Sequence, residues 1–365
     1  MLVGAVDAWG ALWFSRPQRR RPENFDRIAV IRVDQIGDTV LTLPYLSALK
    51  ARYPESKIVF ITSSAGQAML KGMADLCEVR VFDAPWFAGD RGILQAMRDL
   101  RILLKEIQPD AVVDLRGDIR HLWSARQALP KAWIEGYGIT GGGFLADYSP
   151  EYSGLEHAVV KNFAFMDVPA PQEPLRIPST LAGQPLTRRV SDMLVPAASR
   201  PWIAFHIGAG ADSKRWSETH WKQFAERVSS ETEAHIIWIG DRDADDRSRI
   251  ILSLLNPSLR SRSTILCHAL GLGELNTLLA RCKALVTHDS GPAHIAAAIQ
   301  LPTLILFSGA NRVDEWRPLN SKAVILNEPV ACSPCALKVC SQKTHLCMEA
   351  ITPDTAMARL KEMIR

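Results

Sequence analysis

Arg32-Val33-Asp34-Gln35-Ile36-Gly37-Asp38-Thr39, closing the apolar run Ile28–Val33, decides how this chain is read. A short β-type run breaks into a glycine turn beside an acid. An amphipathic stretch, Thr39–Arg52, follows with Val40, Leu43, Leu46 and Leu49 at helical spacing. Strand, tight turn and helix N-terminus form the opening unit of an α/β sheet, whose ligands bind outside the carboxyl ends of its strands. The same order returns at Thr287-His288-Asp289-Ser290-Gly291-Pro292-Ala293-His294, behind the run Ala284–Thr287. Two such places in two halves predict a cleft between two domains that brings two substrates together. That is the layout of a transferase.

Outward from these motifs, short apolar runs alternate with longer helical ones. Lys57–Thr62 and Asp110–Leu115 read as strands, and Gly92–Ile107 as a helix between them. Proline then crowds Val168-Pro169-Ala170-Pro171-Gln172-Glu173-Pro174, with Pro178 and Pro185 beyond, and neither a helix nor a central strand continues through such a stretch. Past it, strands are predicted at Trp202–His206, His235–Ile239, Ala284–Thr287 and Thr303–Phe307. Helices are predicted at Glu218–Val228, Ala244–Leu255, Leu272–Arg281, Ala293–Ile299 and Pro353–Ile364. The fold class is therefore α/β, two doubly wound domains. The expected division is a leader over 1–26, a first domain over 27–168, a linker over 169–186, a second domain over 187–349 and a closing helix over 350–365.

Composition sets the outer limits. At 365 residues, with 47% hydrophobic and 22% charged residues, the chain is an ordinary globular protein. Its net charge of +4 gives no reason to expect a nucleic-acid partner. Ten tryptophans are many; Trp86, Trp216, Trp221 and Trp316 divide between core packing and lining a sugar site. No run reaches the ~18 apolar residues of a membrane span. The leader is read as a disordered arm or as an interfacial anchor. In the second case Leu2, Val3, Trp9, Leu12, Trp13 and Phe14 enter lipid while the arginines of Arg16-Pro17-Gln18-Arg19-Arg20-Arg21 meet anionic headgroups. The expected location is cytoplasmic, with the inner membrane surface as a partner.

Several side chains can carry chemistry. Asp38 reads both as the N-cap of Thr39–Arg52 and as a general base facing an acceptor hydroxyl; a cap would also fix a catalytic carboxylate. In His206-Ile207-Gly208-Ala209-Gly210-Ala211-Asp212-Ser213-Lys214-Arg215-Trp216 a strand ends in a small-residue loop carrying two cations. Backbone amides around Gly208 with Lys214 and Arg215 suit a diphosphate, against the plainer reading of an exposed surface loop. Asp289 or Ser290 is placed to cap the helix that Gly291 and Pro292 open, an anion site by its dipole. His294, one turn in, is left between facing the ligand and packing. The acids of Gly240-Asp241-Arg242-Asp243-Ala244-Asp245-Asp246 are read as capping residues rather than as metal ligands. Cys332, Cys335, Cys340 and Cys347 only partly match zinc spacing and are expected to be structural, so no metal and no cofactor is predicted.

Together these segments resemble glycosyltransferase family 9, the ADP-heptose:lipopolysaccharide heptosyltransferases. The resemblance runs from Arg27 to Arg365. Its carriers are Ile28–Pro44 with Gly37-Asp38-Thr39, the Lys214-Arg215-Trp216 loop, Asp289–His294, and the cysteine-rich tail ending Cys347-Met348. It implies the GT-B architecture of two facing Rossmann-like domains, with the acceptor on the first and the nucleotide sugar on the second. It also implies inverting, metal-independent transfer of heptose from ADP-heptose to the lipid A-core acceptor. On that resemblance Asp38 deprotonates the acceptor, and Lys214 with Arg215 offsets charge on the departing diphosphate. Ser290, Gly291 and His294 complete the phosphate cradle, and Asp289 orients the donor. The competing readings are a GT-B transferase using another nucleotide sugar, and a non-catalytic zinc-stabilised binding protein. A dinucleotide oxidoreductase is disfavoured because the first turn, Asp34–Asp38, lacks the needed glycines.

Overall fold

The computed structural model describes Gly10 and residues 19–70, 73–85, 92–166, 168–170 and 185–365. The apolar leader residues named above, Trp86, and residues 171–184 of the predicted linker lie outside the described residues. The chain divides into two compact units, Met1–Pro171 and Gln172–Arg365.

The first unit is built on β1 (Arg27–Ile31), β2 (Lys57–Thr62), β3 (Glu78–Val81), β4 (Ala111–Asp114) and β5 (Trp133–Gly136). All pair in parallel, in the order β3-β2-β1-β4-β5. Helices α1 (Ile36–Arg52), α2 (Ser64–Met69), α3 (Ile93–Ile107), α4 (Ile119–Ala128) and α5 (Ala158–Phe163) complete it. Strands covered on both faces are apolar where they are buried, and in β1 the four residues after Arg27 are consecutively buried and apolar. Leu100, Leu104 and Ile107 of α3 and Leu122 and Ala125 of α4 pack on Ala29, Ile31, Val59, Val112 and Ile134.

The second unit opens with α6 (Arg188–Met193), then β6 (Trp202–His206), α7 (Glu218–Glu231), β7 (His235–Ile239), α8 (Arg242–Ser253) and α9 (Pro257–Arg260). It continues through β8 (Ser263–Ile265), α10 (Leu272–Arg281), β9 (Ala284–His288), α11 (Gly291–Ala298) and β10 (Thr303–Phe307). Last come α12 (Val313–Trp316), β11 (Ala323–Asn327), α13 (Leu346–Glu349) and α14 (Pro353–Ile364). Its parallel sheet runs β11-β10-β9-β6-β7-β8. Counted from each unit's own first strand, both sheets follow the doubly wound order, reversing direction between β1 and β4 and between β6 and β9. Trp216, Trp221 and Trp238 are fully buried with Phe205 and Phe224; the ring centroid of Phe205 lies 5.2 to 5.4 Å from those of Trp221, Phe224 and Trp238. Of the two roles left open for Trp216 and Trp221, core packing is therefore theirs. Trp316 is half-buried against Phe307 and Ile305.

One expectation needs correction. Helix α1 starts at Ile36, not Thr39, so Asp38 sits in its first turn rather than at the N-cap, which is Gln35. The arginines at the end of the leader are also engaged within the first unit. Arg21 Nε lies 2.9 Å from buried Glu135, and Arg19 lies 3.5 Å from Asp147, so these two guanidinium groups already have carboxylate partners.

Candidate active site

The chemistry-bearing residues gather at the carboxyl ends of the strands flanking each reversal of strand order. In the first unit, Arg32 follows β1 and bridges two acids. Its Nη2 lies 2.5 Å from Asp38 Oδ1 and its Nε 2.8 Å from Asp34 Oδ2. Its Nη1 also donates to the Leu115 carbonyl beyond β4, at 2.6 Å. Arg116 pairs with Asp34 and Asp118, and Asp118 pairs with Arg120 at 2.6 Å. Carboxylates and guanidinium groups thus alternate along one chain: Asp38, Arg32, Asp34, Arg116, Asp118, Arg120. Burial acts to raise the Asp118 pKa. Hydrogen bonds from Arg120, together with the electrostatic effect of neighbouring His121, outweigh it and hold the pKa down to about 2.

Asp38 has one oxygen in this pairing and one less committed. Among the described residues Oδ2 accepts only a long bond, 3.3 Å, from the backbone N–H of Gln35. Its position in the first turn puts the carboxylate at the positive end of the α1 dipole. The side chain is 14% exposed, so a small hydroxyl can reach it. This arrangement can accept a proton at Oδ2 while Arg32 fixes Oδ1.

In the second unit, Lys214 and Asp289 come together. Lys214 Nζ donates to Asp289 Oδ2 at 2.7 Å, and Asn311 Nδ2 donates to the same oxygen at 2.7 Å. Asp289 is nearly buried and Lys214 is mostly so. A lysine amine has three donors, and among the described residues Lys214 uses one. Beside them, His206 Nδ1, Thr287 Oγ1 and Ser290 Oγ form a triangle with edges of 3.0, 3.3 and 3.0 Å. Burial pushes the His206 pKa down to about 4, so the ring is neutral near pH 7. His288 is held from both sides: Nδ1–H donates to the Gly208 carbonyl at 3.0 Å, and Nε2 accepts from the Trp216 N–H at 2.9 Å. Burial pushes its pKa down to about 3, which matches an imidazole that must keep an acceptor nitrogen. A side chain at Gly208 would crowd the His206 ring at 3.1 Å, so glycine fits closely there.

The remaining predicted residues divide. Gly291 opens α11 with Pro292 next, where no N–H is needed. Ser290 is the N-cap position, but neither it nor Asp289 caps through its side chain. The Ser290 hydroxyl is taken up by Thr287, His206 and the His288 carbonyl. His294 is buried within α11. Arg215 turns away from Lys214, pairing with Asp212 at 3.0 Å and Asp243 at 2.9 Å. Asp241 caps α8 by accepting from the Ala244 N–H at 3.0 Å.

The four clustered cysteines are free thiols, and among the described residues no three His, Cys, Asp or Glu side chains are grouped to hold an ion. What their segment visibly does is brace two loops. Ser213 donates through its N–H to the Lys338 carbonyl at 3.0 Å and through Oγ to the Leu337 carbonyl. His345 Nε2–H donates to the Ser213 carbonyl at 2.8 Å. Cys335 and Ala336 donate to the Gly309 and Ala310 carbonyls, each at 3.0 Å. The segment therefore grips the residue before Lys214 and the one before Asn311, the two donors to Asp289.

Sequence reasoning missed Arg32, Asp34, Arg116 and Asp118 as a network, and Asn311, Thr287 and His288 as site residues. A signal existed for part of it. Gly117-Asp118, after the predicted strand Asp110–Leu115, repeats the Gly37-Asp38 pattern after Ile28–Val33.

Each doubly wound sheet thus carries paired cations and carboxylates at the strand ends where such sheets take their ligands, and comparison with known proteins identifies the family. Residues 103–346 match the model for glycosyltransferase family 9 (heptosyltransferase). The chain belongs to that family. It is 26% identical over 215 residues to lipooligosaccharide heptosyltransferase 2 of Campylobacter jejuni subsp. jejuni serotype O:6, a match spanning 57% of this chain and 65% of that protein. With lipopolysaccharide heptosyltransferase 1 of Pseudomonas aeruginosa it shares 23% identity over 93% of this chain and 98% of the relative. The structure of E. coli ADP-heptose lps heptosyltransferase II superposes with a TM-score of 0.73 at 21% identity, over 93% of this chain and 98% of that one. The fold is GT-B.

Proposed function

We propose that this glycosyltransferase moves a heptose from ADP-heptose to the lipid A-core acceptor of lipopolysaccharide, with inversion, at the inner surface of the cytoplasmic membrane. The donor and acceptor follow the names of the relatives. The observation that carries the reading is Lys214 Nζ on Asp289 Oδ2, 2.7 Å apart, at the strand ends where the second sheet reverses order. A cation with two donors to spare, held by a nearly buried acid, is a preorganised site for the diphosphate charge that grows as the sugar leaves. Asp289 keeps the amine in place and is not itself a proton carrier. The Gly208 loop and the N-terminus of α11 add backbone N–H dipoles near the same point.

Asp38 is the base in this reading. Oδ2 takes the proton from the acceptor hydroxyl as its oxygen attacks the anomeric carbon, and the bond to the diphosphate breaks on the opposite face. Arg32 holds the carboxylate and disperses charge through Asp34 and Arg116. No residue here requires a metal for the step. Arg215, paired with Asp212 and Asp243, supports the loop in place of touching phosphate directly, and His294 packs.

The test is calorimetric titration with ADP-heptose, ADP-glucose and UDP-glucose in the presence of EDTA. Selective ADP-heptose binding is expected. Selective binding of another nucleotide sugar would move the protein to a different glycan while keeping the chemistry, and no binding at all would refute the reading.

A further inference from the structure

Helix α3 buries Ala96, Leu100, Leu104 and Ile107 against the first sheet. Its outward side is divided lengthwise. At 3.6 residues per turn, Leu94, Arg98, Arg101, Ile102 and Lys105 fall on one flank, spaced by threes and fours. Gln95, Asp99 and Glu106 fall on the other, where Gln95 Nε2 already donates to Asp99 at 2.7 Å. The first flank is therefore cationic and apolar, with no acid in it. Leu94 is 81% exposed and Ile102 is 50% exposed, both out of place in water. Among the described residues no carboxylate pairs with Arg98, Arg101 or Lys105; Arg101 Nε donates to its own helix, at the Met97 carbonyl. The three cations, Ile102 and Gln127 of α4 enclose an open basin of about 320 Å³.

We infer that this flank of α3 is the surface by which the protein lies on an anionic lipid bilayer, headgroup phosphates entering the basin while Leu94 and Ile102 reach the acyl boundary. Charge complementarity selects anionic over neutral lipid. The two exposed aliphatic side chains select a bilayer over a nucleic acid, which offers cations a partner but gives leucine and isoleucine none. Arg19 and Arg21 of the leader, which would meet headgroups if the leader were an interfacial anchor, are paired with Asp147 and Glu135. This inference rests on the lipid-linked acceptor for its use, but not for its test.

The full chain is floated with phosphatidylcholine vesicles, with and without phosphatidylglycerol, without acceptor or donor. Binding is expected only with phosphatidylglycerol, and it weakens as salt is raised. Each cation near the surface is worth roughly a factor of five in partitioning. The combined Arg98→Gln, Arg101→Gln, Lys105→Gln variant is thus expected to bind on the order of 100-fold more weakly. Leu94→Asp with the charges intact is expected to weaken it as well. Circular dichroism and nucleotide titration on each variant confirm that the chain is folded and its donor site intact. Wild-type-like flotation of the triple variant, equal binding to neutral vesicles, or no binding to either overturns the inference. Vesicle binding without any nucleotide-sugar binding would leave this surface standing and remove the proposed reaction; the reverse would do the opposite.

Discussion

Removing the Lys214 amine tests the donor site most directly, because its two effects separate. In Lys214→Ala the Asp289 carboxylate keeps Asn311 as a neutral donor and loses its only cation among the described residues. Breaking a fully buried ion pair from one side costs about 3–5 kcal/mol. Lys214 is 18% exposed, so water replaces part of what is lost, and about 2 kcal/mol is expected. Converting the acid as well, in Lys214→Ala/Asp289→Asn, removes the stranded charge and is expected to recover at least half of that loss. ADP affinity behaves differently. A charge-assisted hydrogen bond to phosphate is worth about 1.5–3 kcal/mol, so ADP is expected to bind about 10- to 150-fold more weakly to both variants. Urea unfolding and calorimetry read the two quantities on the same samples. Stability losses that simply add would deny the coupling. An ADP affinity unchanged by Lys214→Ala would take the lysine out of the phosphate site and with it the central argument.

Asp38→Asn is expected to cut turnover by about 100-fold or more, the range a positioned base supplies, while donor binding and unfolding temperature stay close to wild type. A destabilised enzyme with near-normal turnover would reduce Asp38 to a helix-end residue. Stability should also fall on acidification, through His288, whose pKa burial holds at about 3. The unfolded chain takes up that proton below about pH 6.5 while the native site refuses it. The contribution is therefore complete above pH 6.5 and falls by about 2 kcal/mol at pH 5. Thermal unfolding at pH 7 and pH 5 should show a smaller drop for His288→Gln than for wild type, and equal drops would sink the assignment. Finally, turnover in excess EDTA should match turnover without it; inhibition reversed by added magnesium would call for a metal on the diphosphate.

What could be read from sequence follows burial. β2, β6, β7 and β10 and helices α10 and α14 are legible to the residue because the strands have buried apolar interiors and the helices periodic apolar faces. β3, β8 and β11 were not: Glu78–Val81 and Ser263–Ile265 contain no fully buried residue and have polar side chains at alternate or terminal positions. Asp38, Lys214 and Asp289 were legible from glycine turns behind apolar runs. Their partners were harder. Arg32 and Arg116 are drawn together by sheet pairing across 83 residues or more, a distance no local pattern spans, and Asn311 carries no motif of its own. The placement of α1 failed by three residues because Gln35 is a weak capping residue and the Asp38 bond to its N–H is invisible without geometry.

The brace on Ser213 reaches it from far down the chain. All six strands of its sheet are in the chain by Asn327, so the sheet needs nothing further to pair. The carbonyls that hold Ser213 belong to Leu337 and Lys338, 124 residues or more downstream of the loop they secure. Every strand of the sheet therefore precedes, along the chain, the residues that fasten the Lys214 loop. A chain cut before Leu337 would keep all six strands but lose the brace on Ser213, and with it Met348, Met357 and Leu360 of the buried core.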